Sequence, residues 1–222
     1  MRRNKKTARW RIIIVDDQPL FRRGLAELIH TNHDFMVSSE VGSRPEALEA
    51  LANDLPDLIT MELSLDGTDG MELLKDIHVR FPTVPTLVIS THDESIYAER
   101  AFRAGAKGYV TKRESDKTVL TAIRLLLEGR KYISPKMTSW FAEQYLEGRA
   151  ANEGSPVAAL SDRELEVFRL LGEHKTRREI SRRLNLSVKT VESYRAKIKE
   201  KLGLSSGSEL IERASRWVAD RK

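Results

Sequence analysis

Between residues 11 and 130, short apolar runs alternate with stretches of helical periodicity. Arg11–Val15, Met36–Val41, Leu58–Met61, Thr86–Ser90 and Gly108–Val110 read as strands. Several are apolar without interruption, as expected for strands covered on both faces. Leu20–His30, Pro45–Asn53, Gly70–Arg80, Ser95–Ala104 and Ser115–Glu128 read as helices, several opening near Ser, Pro or Gly. In the first of them Leu20, Gly24, Leu25, Leu28 and Ile29 fall on one stripe, which predicts an inward face. Five alternating βα units predict an α/β domain: a doubly wound parallel sheet with helices on both faces. In such folds, chemistry lies outside the carboxyl ends of the strands.

After Gly129 the pattern changes. Lys131–Pro135 reads as an extended segment with a stop, and Lys136–Leu146 as a helix carrying Trp140, Phe141 and Tyr145. That aromatic group suits packing on the first domain or against a second protomer. Residues 148–156, rich in Gly, Ser, Asn and Pro, read as a flexible connection. From Leu160 the periodicity is helical throughout, which predicts an all-α second domain. Ser161 and Glu164 have capping-box spacing before Leu165, Val167, Phe168, Leu170 and Leu171. Thr176 caps a short helix, Arg177–Leu184, with Ile180 and Leu184 inward. Asn185-Leu186-Ser187 turns the chain into Val188–Leu202, where Val191, Ile198 and Leu202 share a stripe. A short helix, a turn and a second helix make a helix-turn-helix. The expected organisation is a basic tail over 1–10, the α/β domain over 11–130, a linker with one helix over 131–158 and the helical domain over 159–222.

Charge sharpens this division. Residues 1–10 hold five basic and no acidic residues, residues 11–130 hold 14 basic and 20 acidic, and residues 161–222 hold 16 basic and 10 acidic. An acidic half joined to a basic half suits phosphoryl or cation chemistry at one end and a polyanion at the other. No run approaches the roughly 18 apolar residues of a spanning helix, so no membrane role is expected. Ile12–Val15 is too short for a secretory core. The sequence contains no cysteine, hence no disulfide framework, which fits a cytoplasmic protein.

The strand ends carry compatible chemistry. Asp16 and Asp17 follow the first strand, where adjacent carboxylates can hold a hard divalent cation such as Mg²⁺. Glu62 follows the third, Ser90 ends the fourth with a hydroxyl, and Lys112 follows the fifth with a point charge for a phosphoryl oxygen. Each alone is an ordinary surface feature. Together, at successive ends of one sheet, they read as a site.

Residues Ile12-Ile13-Ile14-Val15-Asp16-Asp17-Gln18-Pro19, Pro56–Met61, Val88-Ile89-Ser90 and Ala104–Lys112 resemble the response-regulator receiver, specifically the NarL/FixJ subfamily. The resemblance spans residues 11 to about 130. It implies an acidic Mg²⁺ pocket at Asp16 and Asp17, a switch hydroxyl at Ser90, an aromatic switch at Tyr109 and a catalytic lysine at Lys112. One departure matters: the family's phosphoacceptor aspartate is here Glu62, and Asp66 stands where proline is usual. Phosphoryl transfer depends on an in-line nucleophile, and one extra methylene misplaces it. The same extension carries the carboxylate toward the position of a phosphoryl group, where it can pair with Lys112 and partly mimic the modified state. Several readings stay open: a receiver biased toward activity without phosphorylation, a degenerate receiver kept for dimerisation or ligand binding, or an original aspartate replaced deliberately. A conventional Mg²⁺-dependent receiver would need Asp16 or Asp17 as acceptor. The partner such a resemblance implies, a sensor kinase, is left open by Glu62. An enzyme of phosphoryl transfer is disfavoured, because no separate base, P-loop or substrate insertion is present.

In the second half, Lys189, Glu192, Ser193, Ala196 and Glu200 share the polar face of Val188–Leu202, flanked by Arg195, Lys197, Lys199 and Lys201. Small and polar residues between basic flanks suit the major groove. Leu160–Glu164, Arg178–Ser181, Leu186–Glu192 and Lys201–Leu204 resemble the LuxR-type DNA-binding domain, over Leu160 to about Val218. The resemblance implies that Val188–Leu202 is the recognition helix and that a fourth helix, about Ser208–Val218, makes the contact of a homodimer. A pseudo-palindromic duplex site follows from such a dimer. Lys189, Glu192, Ser193 and Ala196 are expected at base edges. Thr190, Tyr194, Lys197 and Lys199 are expected at the backbone, with Thr176 and Arg195 also on the binding surface. An adaptor that has lost DNA binding is disfavoured by this intact helix.

Overall fold

The structure is a computed structural model, described for residues 9–65, 68–146 and 156–219. The elements run β1 (Trp10–Val15), α1 (Pro19–His30), β2 (Phe35–Val41), α2 (Arg44–Asn53), β3 (Leu58–Met61), β4 (Ser64–Leu65), β5 (Thr68–Asp69), α3 (Gly70–Arg80), β6 (Thr86–Ser90), α4 (Glu94–Arg103), β7 (Gly108–Thr111) and α5 (Asp116–Leu127). Then follow α6 (Pro135–Leu146), a 3₁₀ turn (Pro156–Ala159), α7 (Asp162–Gly172), α8 (Arg177–Arg183), α9 (Val188–Leu202) and α10 (Gly207–Ala219). Two compact units divide between Pro135 and Lys136.

In the first unit five parallel strands pair in the order β2-β1-β3-β6-β7. The order reverses direction at β1, so right-handed crossovers place α1 on one face and α2, α3 and α4 on the other. The side chains of β1 show the same division. Ile12 and Ile14 join Leu25, Ala26 and Ile29 of α1 and Val119, Ala122, Ile123 and Leu126 of α5 in one buried cluster. Ile13 and Val15, equally buried, point to the opposite face by strand alternation. The expected elements are all present, with ends shifted by a residue or so. Their crossover leaves the ends of β1 and β3 adjacent at the topological switch point.

Two details differ from expectation. Leu20 is 84% exposed and Gly24 is exposed, while Leu25, Ala26 and Ile29 are the buried positions of α1. Within the first turn of α1, Leu20 points outward while its neighbour Phe21 packs against the core. The loop after Glu62 contains a small antiparallel pair, β4 with β5, that no apolar run announced. Its closing residue Gly70 lies so near the Leu63 backbone that a Cβ would stand 2.4 Å from the Leu63 carbonyl oxygen. Asp66 lies outside the described residues.

In the second unit Ser161 and Glu164 close the capping box of α7, Thr176 and Glu179 close another on α8, and Ser187 caps α9. Val167, Phe168, Leu171, Ile180, Val191, Ile198 and Leu210 are buried, and Leu202 is half-buried. Gly172 allows α7 and α10 to approach, since a Cβ there would lie 2.4 Å from the Ala214 carbonyl oxygen. Gly203 ends α9 in a left-handed conformation at φ 65°. In α6 the rings of Trp140 and Phe141 meet edge to face; the Tyr145 side chain lies outside what is described.

Candidate functional site

The carboxyl ends of β1, β3, β6 and β7 bring Asp16, Glu62, Ser90 and Lys112 together. The Lys112 ammonium lies 2.6 Å from Asp16 Oδ2 and 3.1 Å from Glu62 Oε2. Glu62 Oε1 accepts from the Ser90 hydroxyl at 2.5 Å and from the backbone N–H groups of Leu63 at 2.7 Å and Ser64 at 3.2 Å. Its Oε2 also accepts from the Thr91 N–H at 3.1 Å. A fully buried carboxylate is tolerated only when so many donors meet it. Asp16 is also buried and accepts from the Gln18 N–H at 2.8 Å. Burial pushes its carboxyl above the usual carboxylate range, and the hydrogen bonds from Lys112 and Gln18 only partly offset this.

Residues that the sequence reading did not single out complete the pocket. The Phe21 ring lies under the Lys112 ammonium, 4.0 Å from its centroid, so α1 contributes an aromatic face to hold the cation. His92, buried in the turn after β6, stacks on Tyr97 at 4.3 Å and meets the Ser64 hydroxyl through Nε2 at 2.7 Å. The Ser90 oxygen accepts from the His92 N–H at 3.1 Å, and the Tyr109 hydroxyl donates to the His92 carbonyl at 3.1 Å. Tyr109 is thus turned inward, and burial raises its pKa well above the ordinary value. A histidine two residues beyond a strand end was the available signal for His92. Phe21 carried none, because in an amphipathic helix an aromatic residue reads as core.

Asp16 and Asp17, the expected cation ligands, are carboxylates of the kind whose oxygens a hard cation takes. The buried charge of Asp16 is incompletely offset, so Mg²⁺ would find a partner there, though it would share Asp16 with Lys112.

In the second unit α9 presents Lys189, Ser193, Ala196 and Lys197 to solvent, with Thr190, Glu192, Tyr194 and Lys199 partly covered at its flanks. The Ser193 hydroxyl bonds back to the Lys189 carbonyl at 3.1 Å, and the Thr190 hydroxyl meets that of Ser187 at 2.7 Å. Thr176 is exposed, its hydroxyl 2.6 Å from Glu179 in the capping box of α8. Arg195 is less available than its flank position implied: its guanidinium packs toward Gly207 at the start of α10. Lys201, also read as a flank, is turned to α7, 2.6 Å from Glu164.

Comparison with known proteins joins the two halves. The model of the response regulator receiver domain matches residues 12–124, and that of bacterial regulatory proteins of the luxR family matches residues 158–214. The chain belongs to the two-component response regulators. This regulator is 33% identical over 208 residues to the oxygen regulatory protein NreC of Staphylococcus carnosus (strain TM300), covering 92% of this chain and 96% of that one. Among solved structures, a LuxR-family response regulator from Aurantimonas sp. SI85-9A1 matches with a TM-score of 0.59 at 33% identity, covering 63% of this chain and 99% of that one. RcsB of Salmonella enterica serovar Typhimurium, bound to promoter P1flhDC in the presence of phosphomimetic BeF3-, matches with a TM-score of 0.57 at 25% identity. That alignment covers 91% of this chain and 96% of RcsB. The family is one of DNA-binding transcription regulators. Among the described residues, no helix is long and apolar enough to cross a membrane.

Proposed function

We propose that this regulator acts on duplex DNA in the cytoplasm as a homodimer, with a receiver biased toward its active arrangement without phosphorylation. The observation that carries this reading is the set of donors on Glu62: Ser90, Lys112 and the N–H groups of Leu63, Ser64 and Thr91. These are groups that would otherwise be available to phosphoryl oxygens. With them engaged, Glu62 draws the Ser90 hydroxyl toward the third strand and leaves room for Tyr109 to lie inward. A carboxylate biases the receiver only as far as it interacts differently with the two states. In the inactive arrangement Ser90 would turn away, and the buried carboxylate would lose a donor.

The same contacts disfavour transfer to Glu62. A nucleophile must present a lone pair in line with its donor, and both oxygens of this carboxylate are held by N–H, O–H and ammonium groups. Mg²⁺ held by Asp16 and Asp17 would supply neutralisation of charge around the pocket; the bias itself rests on the Ser90 contact. On the DNA side, Lys189, Glu192, Ser193 and Ala196 face base edges, while Thr176, Thr190, Tyr194, Lys197 and Lys199 line the backbone. Arg195 acts from behind that surface. A dimer reading two half-sites gives a pseudo-palindromic target.

The test is the intact mass of the protein after incubation with Mg²⁺ and acetyl phosphate, beside Glu62→Asp. The reading expects a phosphoryl adduct on the aspartate variant alone. An adduct on the native chain would overturn it and point to a sensor kinase as its controller.

A further inference from the structure

A negative side chain on the polar face of α9 needs explaining, because a duplex presents a dense row of phosphates to any helix in its groove. Glu192 lies in the second turn of α9, in the half of a recognition helix that reaches base edges. It does not stand alone. Arg177, the first residue of α8, places Nη1 2.9 Å from Glu192 Oε1. Arg195, one turn further along α9, places Nε 3.8 Å from Glu192 Oε2, with its guanidinium held against the start of α10. A carboxylate gripped from two sides by guanidinium groups has little net charge to repel phosphates, and its direction is set. Arg177 is exposed and Glu192 only half-covered, and a surface pair of this kind contributes little to stability.

We propose that Glu192 is a specificity-determining residue that reads the exocyclic amine of a cytosine in the major groove, with Arg177 and Arg195 as its positioning residues. This rests on the reading of α9 as the recognition helix. A carboxylate only accepts hydrogen bonds. In the major groove, guanine shows two acceptors and thymine an acceptor and a methyl group, all unsuited to a carboxylate. Adenine offers an amine beside the N7 acceptor, which a carboxylate would face lone pair to lone pair. Cytosine N4 is the donor without an adjacent acceptor in its own edge. Replacing the carboxylate by an amide adds a donor, and an amide of this length matches adenine N6 and N7.

The experiment is selection from a randomised duplex library by the full-length protein, with Glu192→Gln, Glu192→Ala and Arg177→Ala in parallel. The native chain should select cytosine at one position of each half-site by about tenfold or more over other bases. Glu192→Gln should move that position toward adenine, Glu192→Ala should leave it unselected, and Arg177→Ala should weaken the cytosine preference without replacing it. All other positions should keep their preferences. Unchanged selection by both Glu192 variants would overturn the assignment and leave the Arg177–Glu192 pair as a link between two helices. If the native chain binds no duplex in a salt-dependent way, it is the DNA-binding reading beneath the inference that fails.

Discussion

Each half of this regulator contains a glutamate–lysine pair between distant elements, and the two pairs do different work. In the receiver, Glu62 and Lys112 are both almost fully removed from solvent, with side-chain exposures of 0% and 7%, and Lys112 also serves Asp16. In the helix-turn-helix domain, Glu164 is 5% exposed but Lys201 is 40% exposed. The first cation is shared by two carboxylates in a pocket that cannot fall back on water. The second joins the capping box of α7 to the last turn of α9 and stays partly hydrated. Charge therefore organises a buried pocket at the strand ends in one domain and fastens α7 to α9 in the other.

The largest effect is expected where solvent is least able to replace the partner. Lys112→Met should destabilise the receiver by about 3–5 kcal/mol, since it strands buried carboxylates. Urea unfolding followed by hydrogen exchange in β1 and β3 measures it. Lys201→Met should cost only about 1 kcal/mol in the second domain. Equal losses would remove the distinction between the pairs.

Glu164→Ala comes next, at about 2 kcal/mol, because a half of the capping box is lost with the lysine contact. Burial pushes the Glu164 carboxyl up, but Lys201 and the backbone and hydroxyl of Ser161 more than offset it and hold it below its ordinary value. A folded-state value below the unfolded one means that this stabilisation is present above the unfolded pKa and lost as pH falls through the folded one. Exchange protection in α7 should therefore fall off in acid in the native chain and respond less to pH in the alanine variant.

Lys197→Ala, at an exposed position assigned to the backbone, should weaken duplex binding and lower the salt dependence by about one counterion, with the melting temperature unchanged. Titration at several salt concentrations checks this. Ser187→Ala should have an effect as small as that of Lys201→Met. Removing the cap of α9, whose hydroxyl accepts from the Thr190 N–H at 3.0 Å, should cost about 1 kcal/mol, read by thermal unfolding.

Much of this was legible in the residues because the two signals that matter are local. Uninterrupted apolar runs separated by helical periods specify parallel strands and crossovers, and Ser161, Thr176 and Ser187 announce helix starts through chemistry that acts within three residues. The pocket was legible for a related reason: each of its charged members follows a strand whose end the sequence marks. What escaped depends on packing between distant segments. Leu20 is exposed because the first turn of α1 turns Phe21, not Leu20, toward the core. Phe21 under Lys112, His92 against Ser64 and Arg195 turned toward Gly207 are contacts across helices and loops with no periodic signature. The hairpin after Glu62 is two residues per strand, too short for alternation to show.

If Glu62 stands in for a phosphoryl group, as proposed, the affinity of the full-length protein for its selected duplex reports it most directly. It should be measured for the native chain, and for Glu62→Asp before and after acetyl phosphate with Mg²⁺. The prediction is that the untreated native chain binds about tenfold more tightly than the untreated aspartate variant, and that phosphorylation of the variant closes the gap. If the native chain and the untreated variant bind equally, with the variant then tightening beyond both on phosphorylation, Glu62 does not bias the switch and the account is wrong.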